Sequence, residues 1–106
     1  MRVWLDDERP KPYDFDVHVN DPESAIALLN EGYVTHLSLD HDLGLQPDSR
    51  SGYMVAVWIE EQAFYGLLKP LTWTVHSANP SGRARIVAAM QRADEYWSQR
   101  VDFKGF

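Results

Sequence analysis

Residues 36–44, HLSLDHDLG, close an apolar run that begins at Val34 with two carboxylates, Asp40 and Asp42, and a histidine, His41, between them. Like charges that close repel, and a buried carboxylate is costly unless a cation, a proton or an array of donors compensates it. The flanks give the element its setting. Upstream, Asp21, Pro22 and Glu23 form a helix start: a side-chain cap, a proline at the first helical position and an acid in the first turn. Ala25, Ile26, Leu28 and Leu29 carry that helix to Gly32, a suitable stop. Downstream, a loop over 44–52 leads to a second helix from 53 to about 65, apolar at Met54, Val55, Trp58 and Ile59 and ended by Gly66.

The same alternation extends to both ends. Residues 3–5 form a short strand that runs into Asp6, Asp7, Glu8 and Arg9, after which Pro10 and Pro12 make a loop. Phe15, Val17 and Val19 alternate with Asp16 and His18, the period of a half-exposed strand at a sheet edge. Residues 71–75 form another strand, with Trp73 and Val75 on one face, and end in HSANP. The last helix, from 81 to about 99, keeps Ile86, Met90, Ala93 and Trp97 on one stripe that Ala89 and Tyr96 widen. The four tryptophans, 4, 58, 73 and 97, fit these stripes and read as core. Strands alternating with helices imply a parallel α/β sheet, whose ligands lie beyond the carboxyl ends of its strands.

Composition narrows the function. A chain of 106 residues makes one domain with a single core and has no room for a second. Sixteen acidic against ten basic residues, a formal charge of −6, argue against a broad nucleic-acid surface but leave open the recognition of a nucleic-acid end or a small phosphate. The absence of cysteine excludes disulfides, thiolate nucleophiles and Cys-ligated metals. MRVWLDDER has no apolar signal core and no run approaches the length of a membrane span, so a cytoplasmic domain is expected. Oligomeric state is not legible.

Three strands end in WLDDER, SLDHDLG and TVHSANPSGR, which gathers Asp6, Asp7, Asp40, His41, Asp42, His76, Ser77 and Asn79 at one sheet edge. Hard divalent cations such as Mg²⁺ take oxygen ligands, and one would turn a repulsive carboxylate cluster into a favourable one. Asp40 and Asp6 are the first choices as ligands, Asp7 and Asp42 the next. In NPSGRAR, Asn79 can cap a helix that begins at Pro80, turning free amides toward the same edge. Arg83, three residues before Ile86, is expected on the inward stripe, where its guanidinium can fork a phosphate. An anion site beside a metal site suits phosphoryl chemistry.

Each motif has a plainer reading. Asp6 to Arg9 can be a solvated turn, His41 and His76 can each brace loop backbone, and Asn79–Pro80 can be a cap and nothing more. His18 and His36 lie on strand faces away from the cluster and take no role. The plain readings weaken jointly, because they leave three polar strand ends to coincidence.

VWLDDERP, SLDHDLG and TVHSANP together resemble the receiver domain of response regulators. The resemblance implies that Asp6, Asp7 and Asp40 hold Mg²⁺, that Asp40 can take a phosphoryl group, and that the Ser77 hydroxyl contacts it. The fuller pattern, DDER with DHDLG and HSANP followed by an arginine, is more similar to a compact offshoot, the cyclic-phosphate processing receiver-like domain. That similarity covers residues 3 to about 92. It implies a compact, flavodoxin-like three-layer sandwich with a mostly parallel four-stranded sheet, and processing of cyclic phosphate ends in settings such as RNA repair.

Two departures from an ordinary receiver are expected. The nine residues between the first strand and Phe15 are too few for a helical crossover, and RVDFKGF is too short for a fifth strand and final helix. Lys104 in that tail is a candidate for the receiver's strand-end lysine. His41 and His76 are additions that suit a hydrolase. The expected function is therefore a metal-dependent phosphoesterase for a small or terminal phosphate, such as a 2′,3′-cyclic phosphate of a nucleotide or RNA end. Mg²⁺ or Mn²⁺ sits on Asp6, Asp40, Asp7 and Asp42; His41 or His76 moves protons; Arg83, Ser77 and the amides after Asn79 stabilise charge; and Arg9 clamps from the other side. Asp40 is alternatively a nucleophile. The rival expectation is a non-catalytic module that binds Mg²⁺ and a phosphoryl group or nucleotide and passes the change to a partner.

Overall fold

The Asp21–Pro22 pair starts a helix as expected: the Asp21 carboxylate accepts the Ser24 amide at 2.7 Å, and proline occupies the first turn. Ten residues later Gly32 ends it in the left-handed region, φ +85°, with its amide on the Leu29 carbonyl at 3.1 Å. Asp21→Ala is expected to cost about 1 kcal/mol, the usual value of such a cap. Thermal melting checks it, with a fall of roughly 4–8 °C for a domain of this size.

The structure is a computed structural model that describes residues 1–44 and 50–104, with side chains through Gln99. Most of the loop expected over 44–52 thus lies outside the described residues, as does the side chain of Lys104. The elements are β1 (Arg2–Leu5), β2 (Val17–Val19), α1 (Pro22–Glu31), β3 (His36–Leu39), α2 (Gly52–Tyr65), β4 (Thr72–Val75) and α3 (Pro80–Lys104). The last helix was expected to stop near 99; its backbone continues to Lys104, so 100–104 prolong α3 instead of trailing from it. No helix among the described residues is long and apolar enough to cross a membrane.

The sheet is wholly parallel in the order β2-β1-β3-β4, with Val3 opposite Val17, Leu5 opposite Leu39 and Leu39 opposite Val75. This is the receiver-like, flavodoxin-type arrangement. The crossovers β2–α1–β3 and β3–α2–β4 both travel the same way along the sheet, and right-handed crossovers that do so lie on the same face. The core agrees: Val3, Leu5, Leu37, Leu39 and Val75 form one buried cluster with Ala25 and Leu29 of α1, Val55 and Ile59 of α2, and Ile86, Ala89 and Met90 of α3. Each buried Val, Leu, Ile or Met side chain there contributes roughly 1.5–3 kcal/mol.

The opposite face carries no helix among the described residues, so the third layer expected of the sandwich is reduced to a loop. Residues 6–16 leave β1 at its carboxyl end and run back to start β2 beside it. Arg2 pins the return: its amide donates to the Asp16 carboxylate at 2.8 Å, and its carbonyl accepts the Asp16 amide at 2.9 Å. Phe15 was expected to continue the Val17–Val19 alternation. Instead it precedes β2 and folds onto the helix-free face, 7% exposed, edge-on to Trp4 with centroids 5.2 Å apart. Trp58, Trp73 and Trp97 join the core as expected, but Trp4 belongs to this other face.

Candidate functional site

Three strand ends meet at the carboxyl edge. Asp6 follows β1 with its amide on the Val19 carbonyl at 3.1 Å, Asp40 follows β3 with its amide on Leu5 at 3.1 Å, and His76 follows β4 with its amide on Leu39 at 3.0 Å. Each backbone is held by the neighbouring strand, so the side chains converge on a rigid frame. One ligand-capable atom each of Asp6, Asp40 and His76 lies within 4.8 Å of the others.

Asp6 is fully buried. Burial alone would raise its pKa, but the amides of Arg9 and Glu8, donating to Oδ1 at 2.9 and 2.8 Å, and the His76 ring on Oδ2 at 3.0 Å hold it below the usual carboxylate value. Asp40 is pushed the other way, first by burial and then by the charge of Asp6, against a smaller lowering from the Ser77 hydroxyl. Adjacent carboxylates whose environments separate their pKa values mark functional sites. His76 is lowered by burial, with Asp6 opposing, and stacks on Trp4 at 3.7 Å between centroids.

A second cluster adjoins the first. His41 Nδ1 lies 2.8 Å from Asp42 Oδ1, and this contact holds the Asp42 carboxyl below its usual value. Asn79 Nδ2 donates to the same oxygen at 3.3 Å, while Asn79 Oδ1 accepts the Gly82 amide at 3.0 Å, so Asn79 is both the cap of α3 and a link to His41 and Asp42. Gly82 is where the imidazole seats: a Cβ there would fall 2.4 Å from His41 Cγ. Gly44 does the same for Asp7, whose Oδ2 lies 2.8 Å from where a Cβ would be.

The residues expected from the sequence are thus brought together unequally. Asp6, Asp40, His76 and Ser77 form the inner group, and His41, Asp42 and Asn79 the outer one. Asp7 is exposed, as is Asp42, and neither belongs to the Asp6–Asp40–His76 set. Arg9 reaches across as expected, but onto backbone, its Nη1 donating to the His76 carbonyl at 2.7 Å. Arg83 departs from its expected inward position. It is exposed, and Nη1 donates to the Val75 carbonyl at 2.6 Å. Thr72 and His76 turn their amides to β3, so Val75 between them turns its carbonyl to the open side of β4, and Arg83 goes with it. His18 and His36, expected on faces away from the cluster, instead share the helix-free face with Trp4 and Ser38, where they bond the Asp6 carbonyl at 2.7 Å and the Thr72 hydroxyl at 2.7 Å.

Trp4, Ser38 and Gly82 were not anticipated in the site. The signal was present for two of them. Trp4 and Ser38 stand two residues before Asp6 and Asp40, and strand periodicity puts them on the same face as those acids.

A short parallel sheet whose strand-end carboxylates converge beyond β1 and β3 defines a receiver-type domain. The chain belongs to the family of cyclic-phosphate processing receiver domains, whose sequence model matches residues 1–92. Membership brings with it a role in cyclic-phosphate processing. Comparison with curated proteins gave no match, and neither did comparison with solved structures.

Proposed function

We propose that the domain is a divalent-metal-dependent phosphoesterase that opens a 2′,3′-cyclic phosphate on a nucleotide or RNA end. The observation that carries this reading is the Asp6–Asp40 pair, two converging carboxylates of which one is raised by its burial and, after that, by the other's charge. The donor set fits Mg²⁺ or Mn²⁺: two hard carboxylates would hold the ion, with Asp7 and Asp42 flanking. Bound there, the ion would neutralise the pair and polarise a phosphate oxygen.

The chain's own groups supply the rest. His41 has Nδ1 on Asp42, while Nε2 has no partner among the described residues. With Asp42 accepting the Nδ1 proton, Nε2 is free to take a proton from an attacking water. As the water oxygen bonds to phosphorus and one ribose P–O bond breaks, that proton passes to the departing ribose oxygen. The Arg9 guanidinium, with Nη1 fixed on the His76 carbonyl, keeps further donors for phosphate oxygens, and Ser77 and Asn79 follow His76 in the same turn, joined by the Asn79 amide on the Ser77 hydroxyl oxygen at 3.1 Å. Arg83 is left out of this reading because it is drawn to the Val75 carbonyl on the open side of β4, whereas Arg9 lies at His76 beside the acidic pair.

The test is hydrolysis of a 2′,3′-cyclic nucleotide and of a cyclic-phosphate-ended oligonucleotide with Mg²⁺, Mn²⁺ or EDTA. Metal-dependent multiple turnover is expected, with His41→Ala losing about 10²–10⁴-fold in rate. Gly82→Ala adds or removes no titratable group, yet must displace the imidazole. It is expected to lower kcat by about ten- to a hundredfold, the scale on which misplacing a catalytic group costs rate. Full turnover in His41→Ala would remove its proton-transfer role. Single labelling by acetyl phosphate without turnover would favour the non-catalytic module.

A further inference from the structure

His76 is held at both ring nitrogens and on one ring face, and these constraints lie on the helix-free face. Three residues precede the strand-end groups by two places: Trp4 before Asp6, Ser38 before Asp40 and Thr74 before His76. The Trp4 indole lies 3.7 Å from the His76 ring with 7° between planes, and its Nε1–H is committed to the Arg9 carbonyl at 3.1 Å. Thr74 Oγ1 donates to Ser38 Oγ at 2.8 Å, Ser38 Oγ is 2.7 Å from His76 Nδ1, and His76 Nε2 is 3.0 Å from Asp6 Oδ2.

The direction of this chain follows from its acidic end. Asp6 already accepts two backbone amides, the surroundings of an ionised carboxylate, which can only accept. The proton between it and the imidazole therefore sits on Nε2. A neutral ring protonated there presents a lone pair at Nδ1, so Ser38 donates to it, and Thr74 supplies the donor that Ser38 in turn accepts.

We propose that His76 is a positioning residue for Asp6, locked by Ser38 and Trp4, and that this unit sets the affinity of the Asp6–Asp40 pair for a divalent cation. With both nitrogens committed, His76 neither ligates nor transfers a proton, and the two histidines of the site have different tasks. The inference rests on the reading of Asp6 and Asp40 as ligands. Ligating carboxylates are held by outer partners, and losing one typically costs 10–100-fold in metal affinity.

The experiment is an Mn²⁺ titration of the full chain, followed by the electron paramagnetic resonance of free Mn²⁺, for wild type, Ser38→Ala, Ser38→Thr and Trp4→Phe. Imidazole ¹⁵N spectra of the metal-free wild type accompany it. The wild-type His76 is expected to carry its proton on Nε2. Ser38→Ala is expected to mix the tautomers and to bind Mn²⁺ about 10–100-fold more weakly. Ser38→Thr keeps the hydroxyl and is expected to restore both, and Trp4→Phe to weaken binding to a smaller degree. Ser38 is only 2% exposed, so if its variants do not fold, the wild-type tautomer and Trp4→Phe decide. A proton on Nδ1 in the wild type, or tight wild-type binding left unchanged by the folded variants, overturns the inference alone. A wild type that binds no Mn²⁺ overturns the metal reading and this inference with it.

Discussion

Gly52→Ala is expected to destabilise the protein by about 3 kcal/mol or more and to disable the site with it. A Cβ at this position would lie 1.9 Å from the Asp40 carbonyl oxygen, 2.8 Å from the carbonyl carbon and 3.4 Å from His41 Cα. All three are backbone atoms, so no rotamer change relieves the collision. The Gly52 amide donates to the His41 carbonyl at 3.1 Å, which docks the start of α2 directly on the turn that carries Asp40 and His41. To accept a methyl group, α2 must back away from the sheet and loosen Val55, Ala56 and Ile59, all fully buried. Thermal melting should show a fall of roughly 12–24 °C. Gly32→Ala is the control: nothing lies within 4 Å of its would-be Cβ, and only the left-handed backbone at φ +85° resists the change. That strain costs about 1 kcal/mol. A Gly52→Ala protein that melts with the wild type would mean that α2 does not clamp Asp40.

The second large effect is a pair of opposite signs at neighbouring carboxylates. Asp40, raised by burial and by Asp6, contributes stability that is fully present below the ordinary aspartate value of about 3.9 and is lost as the pH rises through its higher folded-state value. At neutral pH its charge is therefore a liability in the metal-free protein, and Asp40→Asn should raise Tm by several degrees, on the order of 1 kcal/mol. Asp6 is held below its ordinary value despite its burial. Its contribution is present above about 3.9 and is lost as the pH falls through the folded-state value, so Asp6→Asn should lower Tm. Added Mg²⁺ or Mn²⁺ should raise the wild-type Tm by mass action and leave Asp40→Asn unmoved, with metal-dependent turnover abolished. Calorimetry at pH 7 with and without metal checks all three. A lower Tm for metal-free Asp40→Asn would mean that its carboxylate is compensated by the protein itself.

How much of this was legible in the sequence depends on which interaction placed each residue. The parallel sheet, the helix starts at Asp21 and Pro80 and the convergence of Asp6, Asp40 and His76 were readable, because capping residues and strand-end acids act locally or through one topological rule. Arg83 was misplaced because helical spacing from Ile86 gives a face but not the competing pull of an unpaired edge carbonyl. Phe15 obeyed strand alternation on paper, whereas the chain needed an aromatic cover for a face without helices, and tertiary packing overrode the period. Gly52 and Gly82 are legible only once two backbones are seen to touch. The end of α3 was set five residues short because apolar periodicity fades before the helix does.

The Arg83 contact has a consequence for how the molecule keeps apart from its own copies. β4 ends the strand order, so among the described residues its outer side offers backbone groups to any passing extended chain. A guanidinium already seated on the Val75 carbonyl puts a fixed positive charge at the carboxyl end of that ladder, where an incoming strand would have to displace it and leave it without a partner. Nature commonly blunts open sheet edges with such a charge. The arginine expected to fork a phosphate thus sits where its charge discourages the addition of a further strand to the open side of β4.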